Sequence, residues 1–282
     1  MPSHPPPRIA IPMPHSADRE YAERAIPQYE RAVKLAGGEA VRIPLDLAPA
    51  EIMQMIKRCD GALLPGSKAD VNPAKFGASR SPHTADADPR RDRVDELLLR
   101  DAYNLRKPIL GICYGLQSLN VYRNGSLIQH IPDFLPEELR TGVNHEAGKS
   151  VGVAHAVEIE SDSRLAEVLW GESRPPRSSR AQFGGGSSAP DGGQKLVLGV
   201  NSSHHQSADA IGNGLGISAR CLEDGIIEAL EGTRPDHFVL AVQWHPERSM
   251  DEDEASPAIF RALVKAAQTR PGELKGDFDS VK

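Results

Sequence analysis

The segment Pro108–Gln117 constrains the fold more than any other part of the chain. A short apolar run ends there in Gly-Ile-Cys-Tyr-Gly, and a helical pattern begins. This is typical of a nucleophile elbow, a sharp strand-to-helix turn whose glycines let the two elements approach closely. A helix that begins at Cys113 would place its positive end beside the sulfur and favour the thiolate. A buried structural cysteine at the end of a strand fits the same residues equally well.

The first half of the chain alternates short apolar runs with amphipathic segments. This pattern predicts strands at 8–11, 40–43, 62–64 and 108–110, and helices at 17–36, 50–58 and 94–105. Such alternation is typical of a doubly wound, parallel sheet flanked by helices. Ligands of these sheets bind at the carboxyl ends of the strands, where Cys113 is expected to lie.

The second half is richer in strands. It predicts strand-like segments at 151–159, 196–200, 217–221, 226–230 and 238–244, and a terminal helix at 257–268. Little helix is expected between these strands. We therefore expect an α/β fold in which a mostly parallel sheet continues into an antiparallel extension.

A chain of 282 residues can form one large domain, which we predict at 8–268. Residues 171–194 are rich in Gly, Ser and Pro and predict a flexible insertion within that domain. Residues 1–7 are expected to be disordered, and 269–282 to form a C-terminal tail.

Composition excludes several classes of function. The formal charge of −6 gives no basic footprint for nucleic acid. No stretch has the length of a membrane span, and the N-terminus lacks a signal-peptide pattern, so no membrane partner is expected. The three cysteines form no CxxC pair, which argues against a disulfide framework or a zinc site. A reducing, cytoplasmic location fits these features best.

The end of another apolar strand supplies a candidate base for Cys113. Residues 239–243 lead into Trp244 and then His-Pro-Glu at 245–247. Pro246 cannot continue a strand ladder, so the chain turns there and brings His245 near Glu247. That carboxylate can accept the second ring N–H of the histidine. Alone, the tripeptide is also typical of a solvated strand end, but together with Gly-x-Cys-x-Gly it favours a catalytic group.

Two motifs resemble those of class I glutamine amidotransferases. Gly111–Gln117 resembles the nucleophile motif, and His245–Glu247 the His-x-Glu motif. Val200–Gln206, which reads Val-Asn-Ser-Ser-His-His-Gln, is similar to a stretch of gamma-glutamyl-gamma-aminobutyrate hydrolases, the peptidase C26 branch related to polyamine and putrescine breakdown. Segments 119–120, 125–129 and 224–229 also resemble that branch.

The resemblance implies acyl transfer to sulfur without a cofactor. Cys113 would attack the amide carbon of a small gamma-glutamyl compound, and water would hydrolyse the thioester. His245, oriented by Glu247, would move the protons. The backbone N–H of Tyr114, with a second donor from Gly66 or Ser67, would form the oxyanion hole.

The resemblance also implies contacts with the substrate. We expect them from Gln117 and from five residues of the following motif: Asn201, Ser202, His204, His205 and Gln206. Adjacent histidines on a strand point to opposite faces, and no cysteine or carboxylate pattern accompanies them, so no metal site is expected. Asp92 and Glu96 are expected to be solvated.

Two departures leave the substrate open. Ser67 stands where the family usually has a second glycine. Tyr114 replaces an arginine common in gamma-glutamyl-gamma-aminobutyrate hydrolases, and Gly-Ile-Cys-Tyr-Gly is seen in many ammonia-supplying glutaminase domains. Three functions remain: a stand-alone gamma-glutamyl hydrolase, a glutaminase subunit with a partner synthetase, and a noncatalytic binding module. A homodimer is compatible with each of them.

Overall fold

The computed structural model describes residues 5–140, 142–171 and 196–270. The strands are β1 (Arg8–Pro12), β2 (Glu39–Ile43), β3 (Gly61–Leu64), β4 (Ile109–Ile112), β5 (Leu127–Ile128), β6 (His155–Ile159), β7 (Leu196–Val200), β8 (Ser207–Ala208), β9 (Leu215–Cys221), β10 (Ile227–Gly232) and β11 (Val239–Val242). The helices are α1 (Arg19–Leu35), α2 (Pro49–Lys57), α3 (Pro89–Leu105), α4 (Tyr114–Tyr122), α5 (Ile131–Phe134), α6 (Arg164–Trp170) and α7 (Ala255–Thr269).

Nine of these strands form one sheet in the order β2-β1-β3-β4-β11-β10-β9-β6-β7. The pairs from β2 to β11 are parallel, and those from β11 to β7 are antiparallel. The predicted fold class, a mostly parallel sheet with an antiparallel extension, is therefore confirmed. The short strands β5 and β8 pair separately.

Helices cover both faces of the sheet, and the strand residues alternate between the two cores. In β1, Ile9 and Ile11 face the core formed with α1 and α7, whereas Ala10 faces the core formed with α2 and α3. The same alternation separates Leu110 and Ile112 from Ile109 in β4. A strand with both faces covered reads as a continuous apolar run, which is why these strands could be predicted.

The parallel arrangement brings three strand ends together. β3, β4 and β11 are neighbours, with Leu64 beside Gly111 and Ile112 beside Val242. The loop that follows β3, the first turn of α4 and the residues after β11 therefore meet at the carboxyl edge of the sheet. This is where ligands of such sheets bind.

Cys113 lies at a strained turn between β4 and α4. Its φ of 53° and ψ of −106° are unusual for a residue with a side chain. Its N–H still donates to Val242 O at 2.8 Å, so the sheet continues up to the turn. A Cβ at Gly115 would overlap the Leu64 carbonyl, and one at Gly111 would lie 2.9 Å from the Gly115 backbone. The two glycines therefore permit the approach that the elbow needs.

Some helices begin earlier than predicted or were not predicted. α3 begins at Pro89, because Asp88 accepts N–H bonds from Arg90 and Arg91 as its N-cap. The short helices α5 and α6 were missed; Ser163 caps α6. Most of the predicted N-terminal segment 1–7, insertion 171–194 and tail 269–282 lies outside the described residues, and the domain boundaries stay a prediction.

Among the described residues, none of the helices has both the length and the apolar character that a membrane span requires.

The elbow glycines give a stability prediction. We expect Gly115→Ala to lower the free energy of unfolding by about 1–3 kcal/mol or more, because the added methyl group meets the backbone of Leu64, which cannot move cheaply. Gly216→Ala is the matched control, since its Cβ would lie 3.8 Å from the Thr233 methyl group. Urea unfolding followed by circular dichroism measures both. Equal losses in the two variants would contradict the role of Gly115.

Candidate active site

The loop after β3, the elbow and the residues after β11 bring the predicted site residues together. A methyl group at Gly66 would lie 3.0 Å from His245 Cε1 and 3.7 Å from Cys113 Cβ. All three residues are buried; Cys113 is 6% exposed and His245 is 3% exposed. The chain thus places a thiol and an imidazole side by side in surroundings from which water is nearly excluded.

The histidine is paired with the carboxylate two residues further on. His245 Nδ1 lies 2.7 Å from Glu247 Oε1. Burial alone would lower the pKa of His245, but the Glu247 carboxylate and the Cys113 sulfur raise it to about 9. Burial would raise the pKa of Glu247, yet His245 holds it below its ordinary value. The pair therefore favours an imidazolium facing the sulfur.

Asn201 fastens the backbone of this histidine. Its Nδ2 donates to His245 O at 2.9 Å, and its Oδ1 accepts from His245 N–H at the same distance. A further bond of 3.3 Å runs from Nδ2 to Ser249 Oγ. The Asn201 amide thus positions His245, and its predicted contact with the substrate stays a prediction.

The predicted oxyanion donors differ in their partners. Among the described residues, neither the N–H of Tyr114 nor that of Ser67 has an acceptor. The N–H of Gly66 donates to the Tyr29 hydroxyl at 3.1 Å. Tyr114 is the first residue of α4, so its N–H lies at the positive end of that helix. Tyr114 and Ser67 therefore keep free donors, whereas the Gly66 donor is already in use.

The side chain of Tyr114 is part of the core. Its hydroxyl donates to Asp92 Oδ1 at 2.6 Å, and its ring packs against Val71, Val121 and Leu127. The expectation that Asp92 is solvated was wrong: it is 8% exposed, because it accepts this bond and pairs with Lys75 at 3.1 Å.

The fully buried Arg91 was not singled out by sequence reasoning. Its guanidinium donates to Pro65 O at 2.7 Å and Pro14 O at 3.1 Å, and pairs with Asp95 at 2.7 Å. It also lies over the Tyr114 ring, 4.9 Å from the centroid. Arg91 thus holds the loop after β3 in place. Its position on the same face of α3 as buried apolar residues could have indicated that Arg91 is buried and paired.

Two tyrosines of α1 also lie at the site and were missed. Tyr29 is the acceptor for Gly66 N–H. Burial, together with the negative charges of Cys113 and Glu247, raises the pKa of Tyr21 to about 12. Nothing in the sequence indicated that these residues lie at the site, because a tyrosine at a core-facing position of a helix is typical of a packed hydrophobic core.

The glutamines at the site bond to the protein itself. Gln117 Nε2 donates to Gln206 O at 3.2 Å and to Gln243 Oε1 at 3.4 Å. Gln206 Nε2 donates to Gln129 O at 3.1 Å. The bond from Gln117 to Gln206 links α4 to the loop after β7. Their predicted contact with substrate stays a prediction.

The remaining residues of the motif lie in two different places. Ser202 Oγ donates to Glu228 Oε2 at 3.3 Å, and His204 Nε2 lies 3.3 Å from the other oxygen of that carboxylate. His205 points the other way, to Asp70 at 3.2 Å. The expectation that the two histidines face opposite directions fits this arrangement, although they lie in a loop.

His204 belongs to a group of residues that could hold a metal ion. Atoms of His145, His155, His204 and Glu228 lie within 4.8 Å of one another. No local spacing in the sequence announces this group, because its members come from four separate segments. We refer to it below as the histidine cluster.

The other two cysteines have different surroundings. Cys59 follows α2 and donates to Met55 O at 3.4 Å. Cys221 ends β9, donates to Glu223 Oε2 at 3.2 Å, and lies near His145 and His155. Only Cys113 among the three has a positive φ. It is therefore the cysteine with the geometry of an elbow nucleophile.

Comparison with solved structures identifies the class of fold. The chain is similar to the glutaminase domain of Trypanosoma brucei CTPS, with a TM-score of 0.56 at 17% identity over 94% of each chain. It thus has the fold of a glutamine amidotransferase-like α/β protein.

The family follows from the sequence comparisons. Residues 9–247 match the model of Peptidase C26, so the chain belongs to that family of amidotransferase-like hydrolases. It is 37% identical to "Putative glutamine amidotransferase Rv2859c" of Mycobacterium tuberculosis, over 86% of this chain and 68% of that protein. It is 31% identical to a gamma-glutamyl-gamma-aminobutyrate hydrolase of Escherichia coli, over 86% of this chain and 85% of that protein.

The imidazole–carboxylate pair gives a pH prediction. We expect Glu247→Gln to lower the pKa of His245 from about 9, because it removes the strongest group that raises it. NMR titration of labelled histidines measures this shift. The stabilisation from the raised pKa is complete below pH 6.5, the ordinary histidine value, and is lost as the pH rises through about 9. The stability advantage of the wild type over the variant should shrink over the same range.

The exposed Glu20 of α1 supplies the control for this titration. Glu20→Gln removes a carboxylate from the surface, so the His245 titration should keep its wild-type midpoint. An unchanged His245 pKa in Glu247→Gln would show that the carboxylate does not act on the imidazole.

Proposed function

We propose that the chain hydrolyses the gamma-glutamyl amide bond of a small gamma-glutamyl compound, with Cys113 as nucleophile, His245 as acid and base, and Glu247 as the group that orients His245. The observation that carries the proposal is the strained elbow at Cys113 beside the His245–Glu247 pair. Gamma-glutamyl-gamma-aminobutyrate and related gamma-glutamyl amines are the substrates we favour.

The first half of the reaction forms a thioester. The Cys113 sulfur attacks the gamma-carbonyl carbon, and the carbonyl oxygen takes up negative charge. The C–N bond then breaks while the His245 imidazolium gives its proton to the leaving nitrogen. An amine departs, or ammonia when the substrate is glutamine. Glu247, 2.7 Å from His245 Nδ1, keeps Nε2 as the proton-transferring atom.

The second half hydrolyses the thioester. His245, now neutral, takes a proton from water as the water oxygen attacks the carbonyl carbon. The C–S bond breaks, glutamate leaves and the Cys113–His245 pair is restored. Glu247 acts electrostatically, because its charge stabilises the imidazolium that forms in each half.

The negative oxygen in both halves needs donors that are already in place. The Tyr114 N–H at the start of α4 supports this role, since it has no acceptor among the described residues. Ser67 N–H is the second donor we propose. Gly66 N–H can act as an oxyanion donor only if it first gives up its hydrogen bond to the Tyr29 hydroxyl. The Ser67 that replaces a family glycine thus retains the backbone donor that matters.

A second candidate is a glutaminase that supplies ammonia to a synthetase. It is supported by the 37% identity to a protein named as a glutamine amidotransferase, which exceeds the 31% identity to the gamma-glutamyl-gamma-aminobutyrate hydrolase. Both candidates use the same thioester chemistry. They differ in the leaving group and in the need for a partner.

A substrate panel tests the hydrolase proposal. Wild type should release glutamate from at least one of glutamine, gamma-glutamyl-gamma-aminobutyrate and gamma-glutamyl polyamines. Cys113→Ala should reduce that rate by a factor of about 10³ or more, because it removes the sulfur on which the thioester forms. Cys59→Ala is the control and should keep the wild-type rate, since Cys59 lies between α2 and the start of β3, at the amino ends of the parallel strands, whereas Cys113 lies at their carboxyl ends. Release of glutamate is followed by coupled assay or mass spectrometry.

Labelling distinguishes the cysteines. A glutamine-analogue electrophile should modify Cys113, as shown by peptide mapping, and Cys113→Ala should not be labelled. Labelling at Cys221, or wild-type rates equal to those of Cys113→Ala on every substrate, would contradict the proposal.

A partner assay separates the two candidates. A stand-alone hydrolase should reach its full rate as the purified chain. Glutamine hydrolysis that appears only when a copurifying synthetase is added would support the glutaminase candidate instead. The measurement is glutamate release with and without the copurified fraction.

A further inference from the structure

The histidine cluster lies in the antiparallel half of the sheet, apart from Cys113. His155 begins β6 and Glu228 lies in β10, while His145 and His204 lie in loops. The side chains of the three histidines are at most 4% exposed, and that of Glu228 is fully buried. Four polar groups from distant segments thus lie together away from the protein surface, which costs free energy unless each of them has a partner.

One atom of each side chain points into this space without a hydrogen-bond partner. They are His145 Nδ1, His155 Nε2, His204 Nε2 and Glu228 Oε1. The three nitrogens lie 3.0, 3.3 and 3.3 Å from Glu228 Oε1, yet none of them has the direction of a hydrogen bond to it. Four unpartnered atoms that converge in this way are what a metal centre requires.

The remaining ring nitrogens of the histidines are held by oxygen atoms. His145 Nε2 lies 2.8 Å from Asp224 Oδ2, and His204 Nδ1 lies 2.8 Å from Gln206 O. His155 Nδ1 faces Ala156 O at 3.4 Å. A ring N–H donated to a carboxylate or carbonyl leaves a lone pair on the opposite nitrogen. This is the arrangement in which histidines ligate metals.

We propose that His145, His155, His204 and Glu228 bind one zinc-type divalent cation. Tetrahedral bonds of about 2.0–2.1 Å give distances of about 3.3–3.4 Å between ligand atoms. The three nitrogen–oxygen distances of 3.0, 3.3 and 3.3 Å lie close to these edges, and all four ligand atoms lie within 4.8 Å of one another. Three imidazoles and one carboxylate select zinc over magnesium or calcium, which take oxygen ligands.

The site is structural, because the protein supplies all four ligands and leaves no open position. It closes the loop after β7 onto the antiparallel strands. His204 N–H donates to His145 O at 3.0 Å, and Gly148 N–H donates to Ser202 O at 2.8 Å, so the two loops are already joined. Cation binding adds side-chain ligation to these backbone bonds and stabilises the native chain.

Metal analysis of the whole purified chain tests the proposal. Protein produced with zinc in the medium and desalted should retain about one zinc per chain. Removal of the metal with a chelator should lower the midpoint of thermal unfolding by about 5 °C or more, and zinc but not magnesium should restore it. X-ray absorption at the zinc edge should show nitrogen and oxygen ligands without sulfur.

Neighbouring residues supply matched variants. His204→Gln and Glu228→Gln should lose the zinc, whereas His205→Gln should keep it, because His205 points to Asp70. Cys221→Ala should also keep the zinc. Loss of zinc from this variant would contradict the proposed ligand set and favour His145, Cys221 and Asp224 instead. Cys113→Ala should keep it too, so the test is independent of the hydrolase proposal.

Three results would overturn the proposal. The first is wild-type protein that holds less than about 0.1 zinc per chain and shows no thermal shift when zinc is added. The second is retention of zinc in both His204→Gln and Glu228→Gln. The third is a sulfur ligand in the absorption spectrum. The spectrum and the thermal shift use the wild type, so they decide the question even if a variant fails to fold. A metal-free wild type would mean that protonated histidines, and not a cation, neutralise the Glu228 carboxylate, whose pKa they hold well below its ordinary value despite its burial.

Discussion

The close approach of α4 to β3 is the constraint on which the site depends. Gly115 touches the carbonyl of Leu64, and Gly111 touches Gly115, so the helix can begin directly at the end of β4. Only one residue, Cys113, separates β4 from α4, and it makes the turn with a positive φ. The strain at this residue is stabilised by the bond from its N–H to β11 and by the packing of the surrounding elements. The parallel sheet then brings the ends of β3 and β11 to the same place.

The residues that support the site are mostly side chains bonded to backbone. Arg91 holds the carbonyl of Pro65, Asn201 holds both backbone groups of His245, and Gln117 holds the carbonyl of Gln206. Each bond joins two segments that are far apart in sequence, with at least one loop among them. Buried polar side chains are costly unless they are paired, so such bonds also select one arrangement of the loops. The proposed nucleophile and base, Cys113 and His245, are thus held close together with little further reorganisation needed.

Much of the fold could be predicted from sequence because the signals are local. Apolar runs bounded by amphipathic segments predicted the parallel strands, and the paired glycines around Cys113 predicted the elbow. His245 and Glu247 could be assigned to the site through their motif taken together with Gly-x-Cys-x-Gly. The sheet did not supply this reason, because the sequence pattern groups 238–244 with the antiparallel extension, whereas β11 pairs in parallel with β4. The order of the strands in the sheet could not be predicted, however, since it depends on contacts between segments distant in sequence.

The polar residues show the limit of this reasoning. A motif such as 200–206 indicates that its residues matter, but not which of them face a substrate. Asn201 and His204 turn out to bond within the protein, and the contacts of His204 lie with residues 145, 155 and 228. Asp92 looked solvated on a polar helix face, and a tyrosine hydroxyl from α4 buried it. In each case the deciding partner comes from another element.

The loop after β7 connects the two buried polar centres. Asn201 at one end is fastened to His245, and His204, three residues later, is fastened to the histidine cluster. Three residues span at most about 10 Å, so the loop has little slack with which to absorb a displacement at either end. Ser202, between them, bonds to Glu228 as well. The segment 201–204 therefore ties the backbone of His245 to the Glu228 carboxylate through contacts at both of its ends.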